Sequence, residues 1–506
     1  KYKKMLSFSK YAWILLGIIS LASVIRFYYF PSDIPLVTDG LLYFAYSSAI
    51  HQTGGLPSDW TPTNNGWPIF VSLFFNIFDS KDILTLMQIQ KLFAVIISIL
   101  MAIPVYFICK KFVTRKFALV GASFIAFDPR LIINSFLAVA DPLYLLLITS
   151  SLTLFLFSNK KLVYFSFVLV SFATMIRGEG LVFVLVLSIM FLIRYRKENH
   201  KKLFIKYFIL IGVFVLIILP ISIYRIEVTG SDGMFMRSVS SGNSLVSNLV
   251  TDEDYKNNII GGVELFIKYL IWVLIPNFII FIPLGLFLIF KNRNFEKNTI
   301  ILSLGIMAVP AFYAYTVPAL DTRYLYVLFP MFSVLSVLSI EKIVEKITKR
   351  NIIINIIIII IISSIIISSV LFYDYKKIDY EHQKESIEIM NKIFMMVNGV
   401  NTLDPEVYNL FTSDVLNKWS DPHTEKSGII IISTDNFSSL RDYIVDSKDK
   451  GLTHIIVDDK KERPSFLIDV FTNEMDYHYL EKKYDSKNDG FIYHVKVFKI
   501  NYEKLT

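Results

Sequence analysis

The sequence predicts a polytopic α-helical membrane protein that ends in a small α/β domain, and three observations carry that class. From about residue 11 to residue 373 it is a series of apolar runs, each roughly 18 to 25 residues long and able to cross about 30 Å of hydrocarbon as a helix. Clusters of Lys and Arg occupy alternate connections between those runs. Beyond about residue 374 the pattern changes to alternating helices and strands, which reads as a packed α/β layer rather than more membrane. With 54% hydrophobic residues over 506, an ordinary soluble domain is excluded.

Taken in order, spans are predicted near 11 to 30, 83 to 108, 115 to 134, 139 to 158, 161 to 176, 180 to 194, 203 to 224, 263 to 290, 299 to 317, 324 to 340 and 351 to 373, about eleven helices in all. The first has a basic flank like a signal peptide, but it is too long and leads into a multi-span body, so it reads as a retained anchor. The basic clusters begin with Lys1, Lys3 and Lys4, continue through Lys110, Lys111, Arg115 and Lys116, and end with Lys342, Lys346, Lys349 and Arg350. By the positive-inside rule these connections are cytoplasmic. The N-terminus is then inside, and an odd number of crossings puts residues 374 to 506 outside the cell membrane. A miscount of one helix would break the alternation, and it holds. These clusters account for most of the net charge of +8 and face anionic headgroups, so the charge is no argument for nucleic acid. One cysteine, Cys109, excludes disulfides in the outer part. The absence of disulfides and an Ile-, Lys- and Asn-rich composition lean towards a prokaryote.

Two domains are expected: a membrane domain over 1–373, with a long outer loop at 31–82, and an extracytoplasmic α/β domain over 374–506. Prolines and glycines break the 31–82 loop into short interfacial helices, with amphipathic stretches at Leu41 to Ile50 and Ile69 to Phe78. The Ser-, Asn- and Asp-rich segment from Glu227 to Gly262 reads as a mobile loop that can order over a substrate as a lid. In the tail the pattern predicts a helix at 381–397, strands at 429–433 and 453–457, helices at 438–447 and 465–473, and strands at 477–484 and 491–499 joined by Lys487-Asn488-Asp489-Gly490.

Ionisable residues at membrane depth are costly and survive where they pair or line a wet cavity. All the acidic or paired charges that interrupt apolar sequence, Asp39, Asp128, Asp141, Arg177, Glu179, Asp321 and Arg323, fall on the outer side of the predicted topology. Asp39, in Val37-Thr38-Asp39-Gly40, can take a proton or hold a divalent cation, or it can simply cap a helix. Asp141, followed by Pro142, suits a helix first turn. Asp128, in Asp128-Pro129-Arg130, shares its outer connection. In Arg177-Gly178-Glu179-Gly180 the glycines allow close backbone approach, and the planar Arg177 fork suits a phosphate. A salt bridge to Glu179 is the alternative, although residues two apart on a helix point away from each other. Arg323 is a second phosphate candidate beside Tyr324, an interfacial anchor, with snorkelling to the headgroups as the plain reading. Trp60, Trp67, Tyr43 and Tyr46 either stack on a sugar or form an aromatic belt. His423, His454, His478 and His494 show no metal-ligand spacing.

In this order of parts the chain resembles the GT-C superfamily of membrane glycosyltransferases, which use polyprenyl-phosphate sugars. The resemblance rests on Asp39 in the first outer loop, Gly66-Trp67-Pro68 closing it, Asn134-Ser135-Phe136-Leu137 leading to Asp141-Pro142-Leu143, then Ile176-Arg177-Gly178-Glu179-Gly180 and Arg323-Tyr324. The pattern is nearest that of protein O-mannosyltransferases and the bacterial lipid A aminoarabinose transferases. It implies Asp39 as catalytic base and places the acid-Pro-Leu element on Asp141. Those families usually carry a second acid directly after the first, where this chain has Gly40. The oligosaccharyltransferase catalytic subunit is the alternative, and its Trp-Trp-Asp signature has only Lys418-Trp419-Ser420-Asp421 in its place. That alternative implies a divalent cation, Mg or Mn, with Asp39 and Asp141 as ligands.

The expected function is therefore an inverting transfer of a sugar from a polyprenyl phosphate to a protein, lipid or glycan acceptor outside the cytoplasm. Asp39 would be the base, Arg177, Arg323 and Tyr324 would bind the lipid phosphate, and Asp141, Glu179 and Asp128 would serve the acceptor or a cation. Trp60, Trp67 and Tyr43 would stack on the sugar. A transporter or flippase of lipid-linked glycans is the competing class, and it predicts charges spread through the membrane depth. A scaffold whose tail binds a partner leaves the embedded charges without a reason.

Overall fold

The computed structural model describes residues 10–32, 34–36, 38–57, 65–78, 83–157, 159–230, 232, 253–291, 293–317, 320–376, 381–394, 396–401, 430–434, 437–461 and 463–505. Two compact units divide the chain: Lys1–Phe30, Thr53–Val71 and Gln90–Lys377 form the first, and Pro31–Gln52, Ser72–Ile89 and Ile378–Thr506 form the second.

The first unit is helical. Among the described residues, the helices at Lys10–Tyr28, Leu84–Cys109, His200–Thr229, Phe295–Thr316, Thr322–Ile347 and Asn351–Tyr375 are long and apolar enough to cross a membrane. Arg115–Ala126 and Pro129–Phe136, bent by 44° at Phe127-Asp128, make a seventh if the pair is one span. Shorter apolar helices occupy Asp141–Leu156, Lys161–Ile176 and Gly180–Tyr195. Several such helices make this a multi-pass membrane protein.

Small and hydroxylated residues let the helices close on one another. The Ser151 hydroxyl donates to the Ser166 carbonyl at 2.8 Å, and Thr153 donates to the Pro104 carbonyl at 3.1 Å. Gly285 lies where a Cβ would strike the Leu335 carbonyl.

Two expected boundaries are corrected. The apolar run at 263–290 is not one helix. It divides into Glu253–Leu274 and Ile282–Phe290, because Pro276 lacks the N–H that would continue the ladder. Arg130 takes up the carbonyls left at the break, donating to Trp272 O and Ile275 O, with its guanidinium 5.3 Å from the Trp272 ring centre and 4.6 Å from that of Phe372. The polar loop expected over 227–262 is also shorter. The helix before it runs to Thr229 and ends on Gly230 at φ +75°, and the next begins at Glu253. Residues 233–252 of the proposed lid lie outside the described residues, as do Trp60, His423 and the Lys418–Asp421 stretch.

The second unit holds the α/β tail. Its strands are β1 (Gly399–Asn401), β2 (Ile430–Ile432), β3 (His454–Asp458), β4 (Leu480–Asp485) and β5 (Val495–Ile500), in the order β2-β1-β3-β5-β4. The β1 strand is parallel to β2 and β3, whereas β5 runs antiparallel to β3 and β4. Alternation along the strands feeds two apolar layers. Ile456, Val495 and Val497 pack with Ile389, Ile393 and Val397 on one face, while Ile455, Val457 and Phe498 pack with Tyr443, Ile444 and Val470 on the other. The turn between β4 and β5 falls at Ser486–Asp489, and Gly490 follows it at φ +84°. The final strand starts at Val495 rather than Phe491. In the same unit the segments from the first loop form helices, Thr38–Thr53 among them.

Candidate active site

The helix Asp141–Leu156 is entered through a strained corner. The preceding helix ends at Phe136, and Ala138 turns the chain at φ +56°, a left-handed conformation costly for a residue with a Cβ. Its carbonyl accepts from Trp67 Nε1 at 3.0 Å and from Gln90 Nε2 at 2.9 Å. Gly66, beside that tryptophan, comes so close to the end of the helix Lys160–Ile176 that a Cβ would sit 2.8 Å from the Met175 carbonyl. The Gly66-Trp67 pair is thus an anchor for the corner. Trp67 is fully buried and stacks on Phe70 at 5.8 Å, so it has no face open to a sugar.

Beyond the corner, Ala140 holds the N-cap position and Asp141 is the first helical residue, with Pro142 behind it. The Asp141 carboxylate does not cap its own helix. It turns to two guanidinium groups: Oδ1 pairs with Arg177 Nη1, and Oδ2 lies 3.9 Å from Arg323 Nη1.

Arg177 ends its helix in extended backbone, at φ −146° and ψ 131°. That geometry answers the spacing objection to its pairing with Glu179. The two residues sit in the tight turn between helices, not on one helix, and Arg177 Nη2 and Nε reach the Glu179 carboxylate at 2.8 and 3.3 Å. The turn is close because Gly180 lies against Thr174, whose backbone N would be 2.7 Å from a Cβ there. The glycine therefore serves helix-to-helix approach.

Arg323 and Tyr324 come from the 3-10 helix Thr322–Leu328, whose N-cap is Asp321. Asp321 accepts from Arg323 N at 2.8 Å and from Arg323 Nε at 2.5 Å, which fixes the side chain. Tyr315 supports the segment, donating to the Asp321 carbonyl at 2.9 Å and meeting Tyr324 edge-on at 6.3 Å.

These elements enclose a pocket of about 310 Å³, its open mouth included, lined by Asp141, Tyr144, Leu145, Arg177, Glu179, Met307, Pro310, Arg323, Tyr324 and Val327. Asp141, Tyr144 and Leu145 share one helix face at i, i+3 and i+4. The Arg177 guanidinium lies 5.8 Å from the Tyr144 ring centre and 5.7 Å from that of Tyr324. The pocket thus brings together the predicted Asp141, Arg177, Glu179, Arg323 and Tyr324.

It does not include Asp128, which is buried as N-cap of the helix Pro129–Phe136 and accepts from Arg130 N and Leu131 N at 2.9 and 3.1 Å. Asp39 stands in the second unit, partly exposed in the first turn of the helix Thr38–Thr53. Tyr43, one turn on, is also partly exposed. Among the described residues no three His, Cys, Asp or Glu side chains form a metal-ligand group. Sequence reasoning missed Tyr144, Met307 and Pro310, which read there as ordinary membrane-helix residues.

Known structures share this architecture. ArnT from Cupriavidus metallidurans bound to undecaprenyl phosphate superposes with a TM-score of 0.59 at 11% identity, over 98% of this chain and 99% of that one. The apo oligosaccharyltransferase of Archaeoglobus fulgidus gives 0.57 at 13% identity, over 94% of this chain and 73% of that one.

The chain has the GT-C fold.

A third GT-C structure, archaeal AglB from Archaeoglobus fulgidus in complex with an inhibitory peptide and a dolichol-phosphate, matches with a TM-score of 0.53 at 12% identity, over 95% of this chain and 74% of that one. The Archaeoglobus enzyme is also known in complex with Zn and sulfate. At these identities the likeness is one of fold. No family model and no curated protein matches the sequence.

Proposed function

We propose that this chain is an integral membrane glycosyltransferase that moves a sugar from a polyprenyl-phosphate donor to an acceptor outside the cytoplasm, with inversion. The observation that carries the reading is the pairing of Asp141 with both Arg177 and Arg323 in one pocket of a GT-C helical body. Paired arginines recognise phosphate oxygens through their forks. Solved relatives in fold hold a polyprenyl phosphate, ArnT with undecaprenyl phosphate and AglB with dolichol-phosphate. The match to ArnT over nearly the full length of both chains favours a single-sugar transferase over an oligosaccharyltransferase.

In the proposed reaction an acceptor hydroxyl or amide attacks the anomeric carbon from the side opposite the phosphate. The bond from that carbon to the phosphate oxygen breaks, and the acceptor's proton passes to a carboxylate. Arg177 and Arg323 neutralise the charge that collects on the departing polyprenyl phosphate. Asp39 is assigned the base's role on the sequence resemblance. Apolar Leu145, Met307 and Val327 give the lipid end of the donor a surface of its own kind.

Each arginine also faces a carboxylate, so the phosphate enters by exchange with Asp141. The same arrangement is unsuited to a divalent cation at Asp141, because two guanidinium groups repel a further positive charge. No step is therefore assigned to a metal. The topology proposed is about eleven crossings, with the N-terminus cytoplasmic, the pocket and the 374–506 domain outside, and a prokaryotic cell membrane as the setting.

The direct test is transfer of radiolabelled sugar from polyprenyl-phosphate donors to envelope acceptors in membranes carrying the chain. Asp39→Asn keeps shape and removes basicity, and the expected loss is about a hundredfold to ten-thousandfold. Transfer at the normal rate by that variant rejects Asp39 as base, and no transfer from any polyprenyl-phosphate sugar rejects the activity.

A further inference from the structure

The pocket contains one polar group that the reading above does not use. Tyr144 is only 3% exposed, and its ring lies beside the Arg177 guanidinium. Its hydroxyl has no hydrogen-bond partner in the structure, although the residue lines the pocket. A buried hydroxyl left unpaired loses its bonds to water without replacement, so such groups are uncommon unless a ligand or water completes them. Thr149, Ser222 and Ser336 also have buried hydroxyls without a partner, but none of them lines the pocket, and other hydroxyls in the bundle find acceptors. Ser151, Thr153 and Tyr315 each donate to a carbonyl.

The position explains the difference. Tyr144 stands one turn beyond Asp141, on the helix face that carries Asp141 and Leu145 into the pocket. The charged groups facing it there are Glu179, Arg177 and Asp141, and both carboxylates are turned to the Arg177 guanidinium, which like that of Arg323 has no acceptor capacity. An oxygen-rich anion with several acceptor atoms, taking the place of these carboxylates, would satisfy the phenol and both guanidinium groups together.

We infer that Tyr144 is a ligand-binding residue whose hydroxyl donates to an oxygen of the donor lipid's phosphate, completing a three-donor cradle with Arg177 and Arg323. This rests on the phosphate-binding reading of the pocket. A tyrosine fits the role because it adds a donor without adding charge, and the phosphate must leave again after transfer. A third positive side chain would hold the product more tightly.

The test uses the full-length chain in detergent and two probes, farnesyl phosphate and farnesol, which differ only in the phosphate. Binding is measured by calorimetry for the native chain, for Tyr144→Phe, and for Arg177→Lys and Arg323→Lys. Tyr144→Phe removes the hydroxyl alone. It should weaken farnesyl phosphate binding by about tenfold to a hundredfold, as for other hydrogen bonds to a charged group. Farnesol binding should be unchanged, and the unfolding temperature unchanged or higher because an unsatisfied buried group has gone. Equal affinity of Tyr144→Phe and native chain for farnesyl phosphate, with the arginine variants impaired, overturns the Tyr144 assignment and leaves the pocket a phosphate site. Failure of the native chain to prefer farnesyl phosphate to farnesol overturns both. A drop in unfolding temperature with matched losses for the two probes assigns Tyr144 to packing and also overturns the inference.

Discussion

Asp141 holds two guanidinium groups at once, and the energetics of that arrangement favour neither a plain salt bridge nor an open anion site. A largely buried pair repays its desolvation only through good geometry, and here Glu179 and Asp321 each take up further donors of the same arginines. The carboxylate therefore acts as an internal stand-in for the phosphate. Asp141→Asn is expected to bind farnesyl phosphate about tenfold more tightly, the equivalent of about 1.4 kcal/mol, measured by the same calorimetry. Weaker binding would show instead that the carboxylate orients the arginines. These residues were legible in the sequence because a charge inside apolar sequence stands out. Single buried bases were not. The reading collected acids and charge pairs and so passed over Arg26, which is wholly buried and donates to the Ala126 carbonyl at 2.6 Å and to Ser98 Oγ at 3.3 Å. Tyr144 was hidden for a different reason: a tyrosine among leucines reads as core, and only its place in the pocket, together with the missing hydrogen bond, distinguishes it.

At the level of elements, the corner at Ala138 sets where the helix carrying Asp141 and Tyr144 begins. A left-handed residue with a Cβ costs about 1 to 2 kcal/mol relative to a glycine, and here Trp67 and Gln90 hold it from outside. Ala138→Gly should relieve that strain and raise the unfolding temperature of the chain in detergent. Ala138→Val should lower it, since a branched side chain is less tolerated at positive φ. Equal melting of the two variants would show that the corner carries no strain. Such a corner was not visible in the sequence, because Leu137-Ala138-Val139 carries no glycine or asparagine to mark it. Most helices were legible from apolar runs and from the alternation in the tail, but the expected span at 115–134 is two helices bent by 44°, and the strand Gly399–Asn401 was not expected. Helix ends were less so, since Pro276 lies inside an unbroken apolar stretch, where hydropathy alone cannot see a missing N–H donor.

For the whole molecule, the sidedness proposed from the basic clusters can be tested chemically. Cys109 is the sole cysteine, fully buried, with its Sγ packed where Gly121 leaves no room for a side chain. Its thiol is shut off from any reagent in water. The folded chain is thus silent to impermeant maleimides as it stands, and each cysteine introduced at an exposed position reports its own compartment. Asn473→Cys in the tail should be labelled on intact cells, and Lys197→Cys only after the membrane is opened. The reverse pattern would invert the protein. The close fit of a single glycine against a thiol therefore supplies a ready background for mapping every loop without first engineering the cysteine away.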